Sequence, residues 1–182
     1  MTPKTRNETL GTTGSTPRLR TEQLDLVPLD VSATEEMAVV LSEPALYAFT
    51  GGEPPDASSL RDRFARLGAG RSSDRSQLWH NWIVRIAADG SAIGTVQATV
   101  VATTPRAEIA WVIGVPWQGR GYASEAATAL VAWLRAGGIS TVTAHIHPDH
   151  VASAAVAARA GLRPTEDLED GERVWAWTAP EG

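Results

Sequence analysis

A chain of 182 residues, 43% hydrophobic and 20% charged, is long enough to bury one real core and too apolar for general disorder. It has no cysteine, which excludes disulfides, thiolate catalysis and thiolate zinc sites. The net charge of −5 argues against non-specific nucleic-acid binding, and no apolar run approaches the length of a membrane span. With no signal peptide at its head the chain reads as cytoplasmic, and its acidity favours cationic partners such as amines.

Residues 1–17 are rich in Thr, Gly, Pro and Asn without apolar periodicity, and read as a flexible tail ahead of a single domain over 18–182. Leu19 to Leu29 alternates, with Leu24 and Leu26 on one side, which predicts a first strand. Ser32 to Leu41 predicts a short helix, with Ser32 as its cap and Glu35 three residues later. The loop Thr50-Gly51-Gly52-Glu53-Pro54-Pro55 then breaks the pattern. Leu60, Phe64 and Leu67, at i, i+4 and i+7, predict a second helix, followed by a polar loop from Gly68 to Ser76. Trp82 to Ile86 and Ala92 to Val101 predict two strands joined through Ala87-Ala88-Asp89-Gly90, and Ala107 to Gly114 a third. A helix then runs to about Ala136 and closes at Gly137-Gly138. Thr141 to Ile146 predicts a strand, Asp149 the cap of an alanine-rich helix ending at Gly161, and Asp170-Gly171 the turn of a closing hairpin.

The junction between the strand at Ile109–Val115 and the long helix reads Trp117-Gln118-Gly119-Arg120-Gly121-Tyr122-Ala123-Ser124-Glu125-Ala126. Two glycines let the backbone turn tightly and leave N–H groups bare. The first turn of a helix adds orphan donors and the positive end of the dipole, so this junction is suited to a phosphate. An ordinary strand-to-helix turn would also use glycines here.

Gln-x-x-Gly-x-Ala at Gln118, Gly121 and Ala123 resembles the pyrophosphate loop of the GNAT N-acetyltransferases. Leu19 to Leu26 resembles the opening strand of the branch containing the ribosomal-protein alanine N-acetyltransferases, where Arg is commoner than Gln at position 23. The resemblance covers about residues 18 to 178, with its motifs in 107 to 162. It implies an α/β GNAT fold: a central mixed, mostly antiparallel twisted sheet of about seven strands flanked by about four helices. It also implies acetyl-CoA as donor cosubstrate, no metal, and direct transfer to a primary amine, either a small molecule or a protein N-terminus. The closing strands offer a homodimer contact.

Acyl transfer to an amine needs a neutral nucleophile, donors for the oxyanion and an acid for the thiolate. The resemblance assigns the pyrophosphate to Gln118, Gly119, Arg120, Gly121, Tyr122, Ala123 and Ser124, and the pantetheine arm to backbone groups of Ile113, Gly114 and Val115. Glu108 is the expected base, directly or through water. It shares a strand face with Ala110 and Val112. Many family members carry Asn-x-x-Ala-x-x-x-Tyr ahead of the final glycine. This chain has His150 for the Asn and Ala157 for the Tyr, leaving Ser153 as the expected partner of the leaving sulfur and His150 as a contact to the arm. Those departures also allow a non-catalytic acyl-CoA-binding module. Glu53, Trp79 and Trp82 are candidate substrate contacts, although core packing serves tryptophans equally well.

His145-Ile146-His147-Pro148-Asp149-His150 spells the His-x-His-x-Asp-His of metallo-β-lactamase-fold hydrolases. Against a metallohydrolase, His80 is the only other histidine and lies upstream, and too little chain follows for that larger fold.

Overall fold

The computed structural model describes residues 15–180, so most of the expected tail lies outside the described residues. Its last part does not. Thr16 bonds His80 Nδ1 at 3.2 Å, and the Pro17 carbonyl accepts from Trp82 Nε1 at 2.6 Å. The expected first strand divides into β1 (Leu19–Arg20) and β2 (Leu24–Pro28), which form a hairpin. Leu24 and Leu26 are fully buried on one face, while Asp25 on the other is held by Arg20 at 2.8 Å and Arg18 at 3.1 Å.

A 3-10 turn over Val31–Ala33 leads into α1 (Thr34–Val40). Asp30 caps that turn, its carboxylate accepting from the Ser32 N–H at 2.8 Å, and no side chain caps α1 itself, so the expected Ser32 cap is not formed. Asp outcompetes Ser because its acceptor is charged. After a 3-10 turn at Pro44–Tyr47 comes α2 (Ala57–Gly68), capped by Asp56. β3 (Gln77–Ile86) starts five residues earlier than predicted, because His80 and Asn81 are buried polar residues that interrupt the apolar pattern. β4 (Ala92–Val101) and β5 (Arg106–Ile113) follow.

Next come α3 (Tyr122–Ala136), β6 (Thr141–Ile146) and α4 (Val151–Arg159). β7 (Arg163–Glu169) and β8 (Glu172–Thr178) close the chain. Asp170 and Gly171 both take positive φ, 50° and 84°, the geometry that a two-residue hairpin turn demands. The sheet order is β1-β2-β3-β4-β5-β6-β8-β7, antiparallel throughout except between β5 and β6, where α3 supplies the crossover. The sheet thus has eight strands, one more than expected because of the β1–β2 division.

Each sheet face has its own core. Met37, Leu60 and Phe64 of α1 and α2 pack on Ile83 and Ala92. On the other face Leu130 and Leu134 of α3 and Ala157 of α4 join Leu24, Trp82 and Ile109. No helix among the described residues is long and apolar enough to cross a membrane.

Candidate active site

The site begins with an incomplete ladder. β5 and β6 pair only at Arg106, Ala107 and Glu108, opposite Thr141, Val142 and Thr143. The strands then part, and a cleft of about 510 Å³ lies between them. The Gly114 N–H donates to Ile93 at 2.8 Å, so by ladder alternation the backbone groups of Trp111 and Ile113 point away from β4 into the parting. Unpaired strand groups inside a fold need a partner, which makes this edge suited to an extended ligand. Gln118 Nε2 donates to the Ile113 carbonyl at 2.8 Å, bracing the following loop against the strand end and leaving the Ile113 N–H and the Trp111 groups as the open ones.

That loop delivers the chain to α3. The Trp117 N–H donates to Gly114 at 2.9 Å and the Gln118 N–H to Val115 at 3.2 Å, closing a tight turn. Gly119 and Gly121 follow at φ 75° and 86°, a left-handed backbone that other residues rarely tolerate. Asp56 and His150 cap α2 and α4, whereas α3, like the shorter α1, has no side-chain cap. No described residue outside α3 accepts from the N–H groups of residues 119–124. A Cβ built on either glycine meets nothing within 4 Å, so the space before these donors is open. Orphan donors and the positive end of the helix dipole occur there together, an arrangement suited to an anion.

Glu125, in the first turn of α3, faces elsewhere. It accepts from Thr21 Oγ1 at 2.5 Å, the Gln23 N–H at 2.8 Å and Gln23 Nε2 at 2.7 Å. Burial opposes its ionisation, but those bonds outweigh it and hold the carboxyl below its ordinary range. The start of α3 is thereby clamped to the β1–β2 hairpin.

The far wall carries the histidines. His150, not Asp149, caps α4, with Nδ1 accepting from the Ser153 N–H at 3.5 Å. Asp149 stands one residue too early for that bond. Phe49 stacks on His150, ring centroids 4.3 Å apart and planes 20° apart, and tilts over His147 at 5.3 Å. Burial, and then the nearby His147, holds His150 below the usual imidazole range. His147 Nδ1 accepts from the Asp149 N–H at 3.2 Å, while His145 Nε2 lies 3.7 Å from Glu169 Oε2. The histidines therefore turn to separate partners, and no set of three or more potential ligands converges among the described residues.

Of the residues expected from sequence, Ile113, Gln118, Gly119, Gly121, Tyr122, Ala123, Ser124, His150 and Ser153 line the cleft. Gly114 does not. It is buried against Trp117 and Val40 with its N–H engaged by Ile93, so the open backbone positions are Trp111 and Ile113 rather than Gly114 and Val115. Val115 and Arg120 are exposed outside the lining, as is Glu53. Glu108 is exposed at the last pair before the parting and is also outside it. Trp82 is fully buried and Trp79 bonds Gln77 at 3.1 Å. Three residues apart on one strand, they face opposite sides of the sheet and form no common wall. Ala157 is fully buried in the core, so the tyrosine slot holds no acid.

Phe49, Leu46 and Thr50 line the cleft without having been singled out, as do Arg159 and Glu172. Segment 45–50 has no periodicity to mark it. His145 and His147 also line it, though their spacing had suggested metal chemistry instead.

The Acetyltransferase (GNAT) domain model matches residues 23–163, well over half of the chain. No curated protein matches it. An acetyltransferase from Agrobacterium tumefaciens is similar at 27% identity, TM-score 0.70, covering 90% of this chain and 95% of that one. RimL, a ribosomal L7/L12 alpha-N-protein acetyltransferase solved with coenzyme A, is similar at 17% identity and TM-score 0.75, covering 90% and 98%. Mycobacterium smegmatis RimJ, solved with a CoA disulfide, is similar at 18% identity and TM-score 0.71, covering 86% and 82%. The fold that carries the incomplete β5–β6 ladder and the uncapped α3 start is thus a known one, and this chain is a member of the GNAT acetyltransferase family, an acyltransferase.

Proposed function

We propose that the protein transfers an acetyl group from acetyl-CoA directly to a primary amine, of a small molecule or of a protein N-terminus. The observation that carries this reading is the uncapped start of α3 opening onto the parted strands. Residues 119–124 offer bare N–H donors to a pyrophosphate, and open space lies before both glycines. The edge at Trp111 and Ile113 suits the amide-bearing pantetheine arm, which pairs as a strand would. Acetyl-CoA bound there supplies an activated acyl carbon.

The chain's own residues then position and exclude water. The Ser153 N–H is held by His150, and its hydroxyl lines the cleft where it can donate to a leaving sulfur. His150 keeps Nδ1 for the helix cap and so presents Nε2–H as a hydrogen-bond donor in its neutral form. Glu108, exposed outside the lining, takes part only through water. Leu46, Phe49 and Thr50 border the acceptor side.

Calorimetric titration of chelator-treated protein with acetyl-CoA tests the reading. Micromolar binding without metal is expected, followed by thiol release when a primary amine is added. Absence of acetyl-CoA binding would sink it.

A further inference from the structure

We propose that His145, oriented by Glu169, takes the proton from the acceptor's ammonium group; this rests on the acetyl-transfer reading above. The pairing of Glu108 with Thr143 puts His145 on the same sheet face as Glu108, Ala110 and Val112, just past the point where the strands part. Val112 packs with the α1–α2 core, so this face lies opposite the α3 and α4 helices. The anion cradle belongs to α3. A donor threaded through the parting therefore turns its acyl end toward the face where His145 stands, and the acceptor reaches the same face past Phe49.

His145 has the surroundings that a base requires. Its neighbours Ala144 and Ile146 are buried on the other face, while its own side chain is 24% exposed, shielded yet reachable. Glu169 Oε2, 3.7 Å from Nε2, is too far for a direct hydrogen bond but close enough to attract the imidazolium that forms on taking a proton. It favours the tautomer with the proton on Nε2, which leaves the Nδ1 lone pair as acceptor. The other two cleft histidines lack that freedom: His147 and His150 commit Nδ1 to the N–H groups of Asp149 and Ser153. Glu172, opposite Glu169 across the β7–β8 hairpin, also lines the cleft and adds negative charge that draws an ammonium inward. Glu108 on β5 stands on this same face beside the parting, while Asp25, also on this face, is held by Arg18 and Arg20 on β1–β2.

The protons and electron pairs balance. The ammonium gives one proton to His145 Nδ1, and the freed lone pair forms the N–C bond. The C–S electron pair leaves with sulfur, and a second amine proton reaches that sulfur through solvent. His145 then returns its proton to water, so one amide and one thiol are formed and one proton is released.

The test measures kcat/KM by thiol release from saturating acetyl-CoA between pH 6 and pH 9.5. The acceptors are an alanyl hexapeptide, a seryl hexapeptide, spermidine and tryptamine. H145N should lose about 100-fold at the acidic end, the lower range for general-base catalysis. The gap should narrow as pH rises, because solution then supplies the free amine, and the acetyl-CoA Kd should stay within about twofold. E169Q, on an exposed hairpin, should show the same pH trend with a loss of about tenfold, and it carries the test if H145N does not fold. Undiminished activity in both variants, or a loss equal at every pH, would overturn the role of His145. A parent protein that binds acetyl-CoA but acetylates none of the four amines would overturn it too. A parent that fails to bind acetyl-CoA would instead remove the acetyl-transfer reading itself.

Discussion

His80 lies fully buried between Trp82 and Trp133, with Nδ1 on Thr16 and Nε2 without a partner among the described residues. Burial lowers its pKa, because a charged imidazole there would lose its water. Above the unfolded value near 6.5 both states are neutral and stability is unaffected. As pH falls below that value, the unfolded chain takes up a proton that the folded one refuses, and stability drops. The limit for one proton is about 1.4 kcal/mol per pH unit. Denaturant titrations at pH 7.5 and 5.5 should show that loss, and His80→Phe should reduce it. His150 titrates in the same direction and would account for the remainder. Gly121 is the second residue-scale case. At φ 86° an added Cβ meets no neighbour, but a valine is strained by roughly 1–2 kcal/mol, so Gly121→Val should weaken acetyl-CoA binding about tenfold. Unchanged affinity in calorimetry would show that the loop does not bind the pyrophosphate.

Elements are locked to one another by a few contacts. Glu125 ties α3 to the β1–β2 hairpin through three hydrogen bonds. Glu125→Ala should cost about 2 kcal/mol, the range for bonds to a charged group, read as a lower denaturant midpoint. Gln23→Arg should raise the midpoint by setting a cation against the Glu125 carboxylate. Gly94 works by close approach: a Cβ there would run into the Val112 carbonyl oxygen of the adjacent strand. Gly94→Ala should force β4 and β5 apart beside the cleft and destabilise by about 3 kcal/mol, the upper range for overpacking. An alanine variant as stable as the parent would show that the ladder relaxes easily.

In the whole molecule, β1–β5 and β6–β8 meet through three parallel pairs in the sheet and through α3 packing on α4. A ligand in the parting touches both parts. Binding that favours the folded state at a hundredfold excess over Kd adds about 2.7 kcal/mol, so saturating acetyl-CoA should raise Tm by several degrees. Thermal unfolding with and without the ligand checks this, and no shift at a concentration that saturates calorimetrically would place the ligand elsewhere.

Elements with strong local signals were legible in advance: the periodicity of α3, the alternation of β6 and the Asp170-Gly171 turn depend on neighbours in sequence. The glycine turn into α3 was legible for the same reason, since Gly119 and Gly121 mark it by residue type alone. The start of β3 was not, because its polar residues are buried by distant partners, Thr16 among them. Glu108 and His145 divide along the same line. One strand alone places a carboxylate on a face, but whether that face borders the cleft depends on where β5 and β6 stop pairing. Likewise the histidine spacing matches a metal motif, while the β7–β8 hairpin, brought in from 24 residues downstream, turns His145 to Glu169 and Phe49 covers His150. Sequence determined the family, the order of elements and the glycine turn into α3, all set by local pattern. Only the tertiary structure decided which side chains face the cleft, because that rests on pairings between segments far apart in the chain.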